Sequence, residues 1–581
     1  MYLIDKLNNN IQTVLKQLGF DDEVSVVKSS RPELGDYQYN GVMKLAGMNR
    51  INPRELAEKI VAELSKFDDY TNINIAGPGF INISFKDEVL IDYINEINND
   101  FEKNIYKDEN DTTVFLDYGG ANVAKELHVG HLRSANIGEA LKRLLNACKF
   151  KTISDVHLGD WGRPMGLVML EIEKRQPDLV YFDKDYTGEY PTESPVTAAD
   201  LAEIYPYASS KSKEDPEYLE EARDMTLRLQ NRERGIYALW KHVLHTSVEE
   251  DIKKAYELLN TSFDLWEGES DADDYIPELI DYLEKNNYTE ISEGAEVIFV
   301  NEPDDKIEIP PFMIKKSNGG VLYDTTELAT LYSRIKRFKF NDIWYLTDSR
   351  QSLHFVECFR AAKKTKIVPE DVTLTHLPFG TMNGPDGKPF KTRDGGVMSL
   401  NALYKLVYDE CYKKLSDSIA EDKREETARI IAIAAIKFAD LLPNRTTDYT
   451  FDPVKFSDLN GKTGPYLLYN TVRIKSIFQK VEGIDYKTYN NIGSSIERDM
   501  ILHLIELSNT LKKGITEKLL NEICEYLFKL TNLYNTFYAD HYIVSEEDKK
   551  QQESWLVLSD VVLKTNMFLL DILGIDVPER M

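Results

Sequence analysis

The spacing of apolar residues changes character twice along this chain of 581 residues. Up to about residue 108, stretches with helical periodicity (IQTVLKQLGF, ELAEKIVAELSKF) alternate with strand-like ones (NINIAG, FINISF). That predicts a small α+β domain over 1–108, closed by the polar YKDENDT. Strand-like TTVFLDYG then leads through a loop into a helix starting near His131, and KTISDVHLGDWG leads into MGLVMLEIEK. VLYDTTELATLYSRIKRF and DIWYLTDSRQSLHFVECFRAAKK repeat the pattern before the strand-like VTLTHLPFG. Strands alternating with helices predict an α/β fold with a doubly wound parallel sheet, Rossmann-like, over 109–400. A polar stretch with helical periodicity interrupts it at about 176–262 and reads as a helical insertion. From 401 to 581 nearly every segment has helical spacing, which predicts an all-α domain.

Composition narrows this picture. With 42% hydrophobic and 29% charged residues the chain has the make-up of a soluble globular protein. No apolar run approaches the roughly 18–20 residues of a membrane-spanning helix. The opening MYLIDKLNNN lacks a basic segment followed by an apolar one, so no signal peptide is expected. Four cysteines without a CxxC pair argue against a zinc ribbon or disulfide framework and point to a reducing, cytoplasmic setting. The formal net charge of -28 predicts weak non-specific binding to polyanions. Any nucleic-acid partner must therefore be met by clustered Lys and Arg.

The chemistry concentrates in ANVAKELHVGHLRS, residues 121–134. His128 and His131 could ligate zinc, but no third ligand follows at metal spacing. They could cap the helix or fill space. They could also serve an anion, because a helix N-terminus after a strand presents free N–H groups and the positive end of a dipole. Gly130 lets a ligand approach the backbone closely, and two imidazoles can donate to phosphate oxygens. This third reading places a nucleotide at the carboxyl edge of the sheet, beyond its first strand.

The same segment resembles the HIGH signature of class I aminoacyl-tRNA synthetases, in the form found in arginyl-tRNA synthetases. HLGDWG at 157–162, WEGES at 266–270, GVLYDTTELA at 320–329, SRQSLH at 349–354, GKPFKTRDGG at 387–396, GPYLLYNTVRIKSI at 464–477 and the terminal PERM fall in that family's order. An HxGH alone is weak, since other nucleotidyltransferases share it; the set covers essentially the whole chain. The resemblance implies an arginine–tRNA ligase that activates L-arginine with ATP·Mg2+ and transfers it to tRNA(Arg). It further implies that activation requires bound tRNA. By the same resemblance Asn122 and His128 face arginine, together with Glu269, Tyr323, Glu327 and Gln351. His131 and Gly130 belong to ATP, and the N-terminal domain touches the outer corner of the tRNA.

Two positions depart from the family pattern. Glu327 stands where Asp is expected, one methylene longer. The loop that normally carries KMSKS reads PFKTR (389–393), so the usual first lysine is Pro389. Lys391, flanked by Lys388 and Arg393, and Lys125, just before the HIGH signature, are the candidates to neutralise the phosphates. In the C-terminal domain Tyr466, Tyr469, Arg473 and Lys475 combine base stacking with phosphate contact. Aromatics at helical spacing are also common core residues, and Tyr466 and Tyr469 share a face. A cytoplasmic monomer without a structural metal or membrane contact is expected. A small-molecule nucleotidyltransferase would account for HVGH but not for the arginine-pocket set. An inactive tRNA-binding paralogue draws support only from the altered loop.

Overall fold

The computed structural model describes residues 2–317, 319–321, 323–388, 390, 398–481 and 483–581, with Tyr323 described in its backbone only. The chain forms two compact units: Asp108–Pro465 with Ile572–Asp576, and Met1–Lys107 with Tyr466–Asp571 and Val577–Met581.

The first unit is built on a four-stranded sheet of β1 (Thr113–Asp117), β2 (Lys151–Asp155), β3 (Asp342–Tyr345) and β4 (Thr373–His376). The strand order is β4-β3-β1-β2 and every pairing is parallel. Val114, Phe115 and Leu116 are all buried, so β1 is covered on both faces, as the unbroken apolar run requires. The helix α1 (Val129–Ala147) connects β1 to β2, after which the chain returns to the other side of β1 to lay down β3. That reversal opens a crevice at the carboxyl ends of β1 and β3.

Between β2 and β3 lie Ala198–Glu214, Pro216–Gln230 and α2 (Arg234–Ser247), then a π-helical turn, Val248–Ile252, and the helix Lys253–Leu258. The short α3 (Glu269–Asp273) and the long α4 (Tyr323–Arg337) follow. Val321, from a stretch that is strand-like in the sequence, bridges to Lys315 and belongs to no strand of the parallel sheet. It lies instead between a separate antiparallel sheet, Glu290–Ser292, Ala295–Ile298 and Phe312–Lys315, and α4.

The helical sequence from 400 onward divides between the units. Leu400–Lys413 and α5 (Glu421–Leu441) fold with the parallel sheet. The physical reason is a buried guanidinium that periodicity cannot reveal. Arg133 of α1, 1% exposed, donates to Asp440 of α5 at 3.0 Å and to the Gly380 carbonyl at 2.7 Å. In the other unit an antiparallel sheet, ordered Val26–Lys28, Tyr37–Tyr39, Phe80–Phe85, Tyr70–Ala76, is tied to the C-terminal helices. Arg498 pairs with Asp36 at 2.8 Å and with Asp87, and Asn104 donates to the Leu504 carbonyl at 3.1 Å. Among the described residues no helix is long and apolar enough to cross a membrane.

Candidate active site

A cavity of about 500 Å³ opens at the crevice beyond β1 and β3. Its lining includes Asn122, His128, Gly130, His131, Glu269, Glu327 and Gln351, brought together from four separate stretches of sequence.

The histidine pair is fixed by the backbone. His128 is the N-cap of α1, and its Nδ1 accepts from the Gly130 N–H at 3.1 Å. His131 Nδ1 accepts from the His128 N–H at 3.1 Å, and the rings stack with centroids 4.0 Å apart. With both Nδ1 atoms accepting, each neutral ring carries its proton on Nε2, which remains a donor. Burial, assisted by the nearby Lys125 charge, lowers His128 to about 4; burial, His128 and Lys125 lower His131 to about 3. Both are uncharged at neutral pH. Capping uses only the Nδ1 atoms, so it leaves both Nε2 donors unspent. Gly130 is needed for a further reason: a Cβ there would lie 2.8 Å from the His128 ring.

Asn122 is held where the loop after β1 pairs with the loop after β2. The Gly159 N–H donates to the Ala121 carbonyl at 2.9 Å and the Val123 N–H to the Gly159 carbonyl at 3.0 Å. Any side chain at Gly159 would strike Asn122 Oδ1. Lys125 does not line the cavity. It is half-buried, with its ammonium lowered by desolvation and without an ion-pair partner among the described residues. Its charge is close enough to act on both histidines.

The lining also carries acids. Glu269 opens α3, where its N–H donates to the Leu158 carbonyl at 3.0 Å. Asp160 sets that turn by accepting from the Ser270 N–H at 2.9 Å and hydroxyl at 2.6 Å. Burial raises Asp160 to about 7 and also raises Glu269, against the pull of His157. Glu327, 4% exposed on α4, has no hydrogen-bond or ion-pair partner among the described residues. Gln351 stands at the exposed mouth, its N–H bonded to the Asp348 carbonyl at 2.9 Å.

Sequence reasoning passed over several residues of this site. Asp117 and Asp155, register partners at the ends of β1 and β2, converge on Arg334 of α4, which is fully buried. Arg334 donates to Asp155 Oδ2 at 2.6 Å and forms an ion pair with Asp117 Oδ2 at 2.7 Å, the latter outside hydrogen-bond geometry. Burial raises Asp117 despite that cation. His157, at φ 44°, joins the cluster: burial opposes its charge, but Asp117 and other acids prevail and raise it. Asp117, Asp155 and His157 have the donor atoms of a metal site, yet their carboxylates already hold a guanidinium. Phe355 and Phe379 add apolar lining. A signal was available for the aspartates: TVFLD and KTISD are strands that both end on Asp.

Four expected residues fall outside what the structure describes: Lys391 and Arg393 in the segment 391–397, Pro389, and the Tyr323 side chain. The flanks of that segment are fixed beside the histidines. Met398 N–H donates to the Phe390 carbonyl at 3.2 Å, and Leu400 N–H to the Leu127 carbonyl at 2.8 Å. In the other unit Tyr469 is 42% exposed, whereas Tyr466 is half-buried and bonded to Asn532 at 2.6 Å. Arg473 lies over Tyr538 and bonds Asn535, and Lys475 reaches the Pro578 carbonyl at 3.5 Å.

Comparison with known proteins agrees with this layout. Residues 94–453 match the family model described as tRNA synthetases class I (R), catalytic domain. Residues 5–85 match the arginyl tRNA synthetase N terminal domain, and 467–581 the DALR anticodon binding domain. The chain is 44% identical to an arginine–tRNA ligase of Alkaliphilus oremlandii and 41% identical to one of Agathobacter rectalis, with 100% of each chain covered. In fold it is similar to the arginyl-tRNA synthetase of Plasmodium falciparum (TM-score 0.83, 23% identity, 100% of this chain and 99% of that one). It is likewise similar in fold to that of Thermus thermophilus (TM-score 0.80, 19% identity, 100% of both). With the catalytic-domain model spanning more than half of the sequence and relatives matched from end to end, the chain belongs to the arginyl-tRNA synthetases of class I.

Proposed function

We propose that the cavity joins arginine to tRNA(Arg) in two displacements, the activity that belongs to this family. In the first, an oxygen of the arginine carboxylate attacks the α-phosphorus of ATP and pyrophosphate leaves. In the second, a hydroxyl of the terminal ribose of tRNA attacks the carbonyl carbon of the adenylate and AMP leaves. Neither step needs a side-chain nucleophile, so catalysis consists of alignment and stabilisation of phosphate charge.

The observation that carries this reading is the make-up of the cavity lining, neutral imidazoles together with buried acids. Neutral imidazoles with Nε2 donors stand at a helix N-terminus, which suits phosphate. The lining also brings Glu269 and the buried Glu327, neither with an internal arginine or lysine against it among the described residues, which suits a guanidinium with its fixed fork of donors. Asn122 and His128 take the amino-acid end of arginine, and Gln351 closes the mouth. Magnesium arrives on ATP, and the apolar Phe355 and Phe379 suit the adenine. Lys125, with Lys391 and Arg393 from the sequence, neutralises the leaving pyrophosphate. Tyr469 and Arg473 contact tRNA. The enzyme acts as a cytoplasmic monomer and activates arginine only with tRNA bound.

Arginine-dependent ATP–pyrophosphate exchange, with and without tRNA, tests the reading. Exchange is expected only with tRNA present, and its absence under both conditions overturns the proposal. Lys125→Ala should slow exchange about 10²-fold, the usual loss for one preorganised donor to developing charge. Its affinity for tRNA should remain within about twofold, because the half-buried lysine serves the pyrophosphate of ATP and not the tRNA interface. Equal losses in both would remove the role given to Lys125.

A further inference from the structure

The helical stretch 176–262 has no role in the chemistry above, yet its last part grips the loop between β1 and α1 at three points. Ala124 N–H donates to Ser247 Oγ at 2.8 Å, Tyr256 Oη to the Gly119 carbonyl at 3.1 Å, and Tyr118 Oη to the Ser262 carbonyl at 2.9 Å. The first contact matters most. Ala124 sits at φ 62°, a left-handed conformation that a residue with a Cβ holds only when its surroundings enforce it. Ala124 and Ser247 are 4% and 3% exposed, so water does not replace this bond. The next residue is Lys125, whose side chain has no partner among the described residues to hold it; the backbone at 124 determines where it starts.

The turn that follows Ser247 explains how one helix makes two of these contacts. In an unbroken α-helix, positions 247 and 256 would face about half a turn apart, at 3.6 residues per turn. The π turn Val248–Ile252 takes up about half of that difference, and Ser247 and Tyr256 both reach the same loop. Such turns recur at functional sites. Asp251, within it, is raised by burial and then by the charge of Glu126, which sets the turn against the residues flanking Lys125.

We infer that Ser247 is a positioning residue: through the Ala124 peptide it aims Lys125 at the phosphate side of the cavity, and the π turn exists to bring it there. This rests on the role proposed for Lys125. The decisive measurement is the tRNA-dependent exchange rate of Ser247→Ala, Lys125→Ala and the double variant. Ser247→Ala should lower the rate about tenfold, the scale of a modest misplacement, with KM for arginine unchanged. The double variant should be no slower than Lys125→Ala alone, because the effect of Ser247 runs through that lysine. Ser247→Thr, which keeps the hydroxyl, should restore most of the rate. Deleting Glu250, an exposed residue of the π turn, should reproduce Ser247→Ala while tRNA affinity reports an intact fold. Multiplicative losses in the double variant, or full activity in Ser247→Ala, overturn the inference while leaving Lys125 in place. Full activity in Lys125→Ala instead overturns the reading of that lysine and the inference with it.

Discussion

Two pairs of carboxylates meet at the carboxyl edge of the same sheet and are treated in opposite ways. Asp117 and Asp155 close on Arg334, a guanidinium supplied by the chain itself. Glu269 and Glu327 lie near enough for the Glu327 charge to help raise Glu269, yet neither has an internal arginine or lysine against it among the described residues. Acids of the first kind hold the fold together, and their cation is permanent. Acids of the second kind remain available to a cationic ligand, at the expense of burial that raises the pKa of Glu269. The protein therefore holds its own guanidinium beside the place proposed for the substrate's. That proximity explains how the pocket can tell the two apart: Arg334 is fixed by α4 and by two strand ends, and it does not compete for Glu327.

The sharpest way to break the contrast is Arg334→Met. Leaving two buried carboxylates without their cation should lower stability by about 3–5 kcal/mol, seen as a fall in the urea unfolding midpoint. Adding Asp117→Asn and Asp155→Asn should recover part of that loss. A stable Arg334→Met enzyme with normal kinetics would remove the structural role given to this pair. Next in size are Glu327→Gln and Glu269→Gln. Each should raise KM for arginine by roughly tenfold to a hundredfold, the range expected for one charged hydrogen-bonding partner. Stability should stay level or rise, since a buried unpaired charge has been taken away. If Glu327→Gln unfolded the protein and left KM alone, the two pairs would have to exchange roles. Smaller again is Glu327→Asp, which restores the residue expected from the family pattern. A change of only a few-fold in KM is expected, because backbone adjustment must offset one methylene; a hundredfold loss would mean that the longer arm is essential to this pocket.

Much of this site was legible in the sequence, for a physical reason. The histidine pair stands out through local chemistry, a cap at a helix start, whereas Asn122 and Glu269 come only with the family resemblance, since EGESDADD by itself reads as a solvated loop. The alternation of strand and helix likewise announces the parallel sheet, because neighbouring parallel strands need a long crossover, usually a helix, between them. What periodicity could not reveal is pairing across long separations. Arg334 stands in SRIKRF, where three basic residues in four read as a solvated helix end, and only folding shows that one of them is fully buried. Arg133 hid in the same way within HLRS, and with it the reason that α5 joins the sheet-bearing unit. Val321 misled because strand propensity is satisfied as well by a bridge to a small antiparallel sheet as by a place in the large one. Ser247 gave no signal at all. A serine near a helix end is ordinary, and its partner lies 123 residues away.

The histidine pair offers the finest test of the contrast, because it too is preorganised by the chain rather than left for a ligand. An unfolded histidine titrates near 6.5, whereas His128 and His131 are held down to about 4 and about 3, first by burial. Above pH 6.5 neither state binds these protons and the pair does not affect the balance. As pH falls from 6.5 towards 4 the unfolded chain takes up protons that the folded chain refuses, so stability must decline with each step of acid. The slope is bounded by about 1.4 kcal/mol per pH unit for each ring. His131→Asn keeps a side-chain acceptor for the His128 N–H but cannot titrate, and should remove one ring's share of that slope. Urea midpoints of the wild type and variant at pH 7.5 and 5.5 make the comparison, with the wild type expected to lose about 1 kcal/mol more than the variant between the two. Parallel losses would mean that His131 titrates in the folded protein as it does in the unfolded chain, and the depressed pKa that keeps this ring a neutral donor would have to be given up.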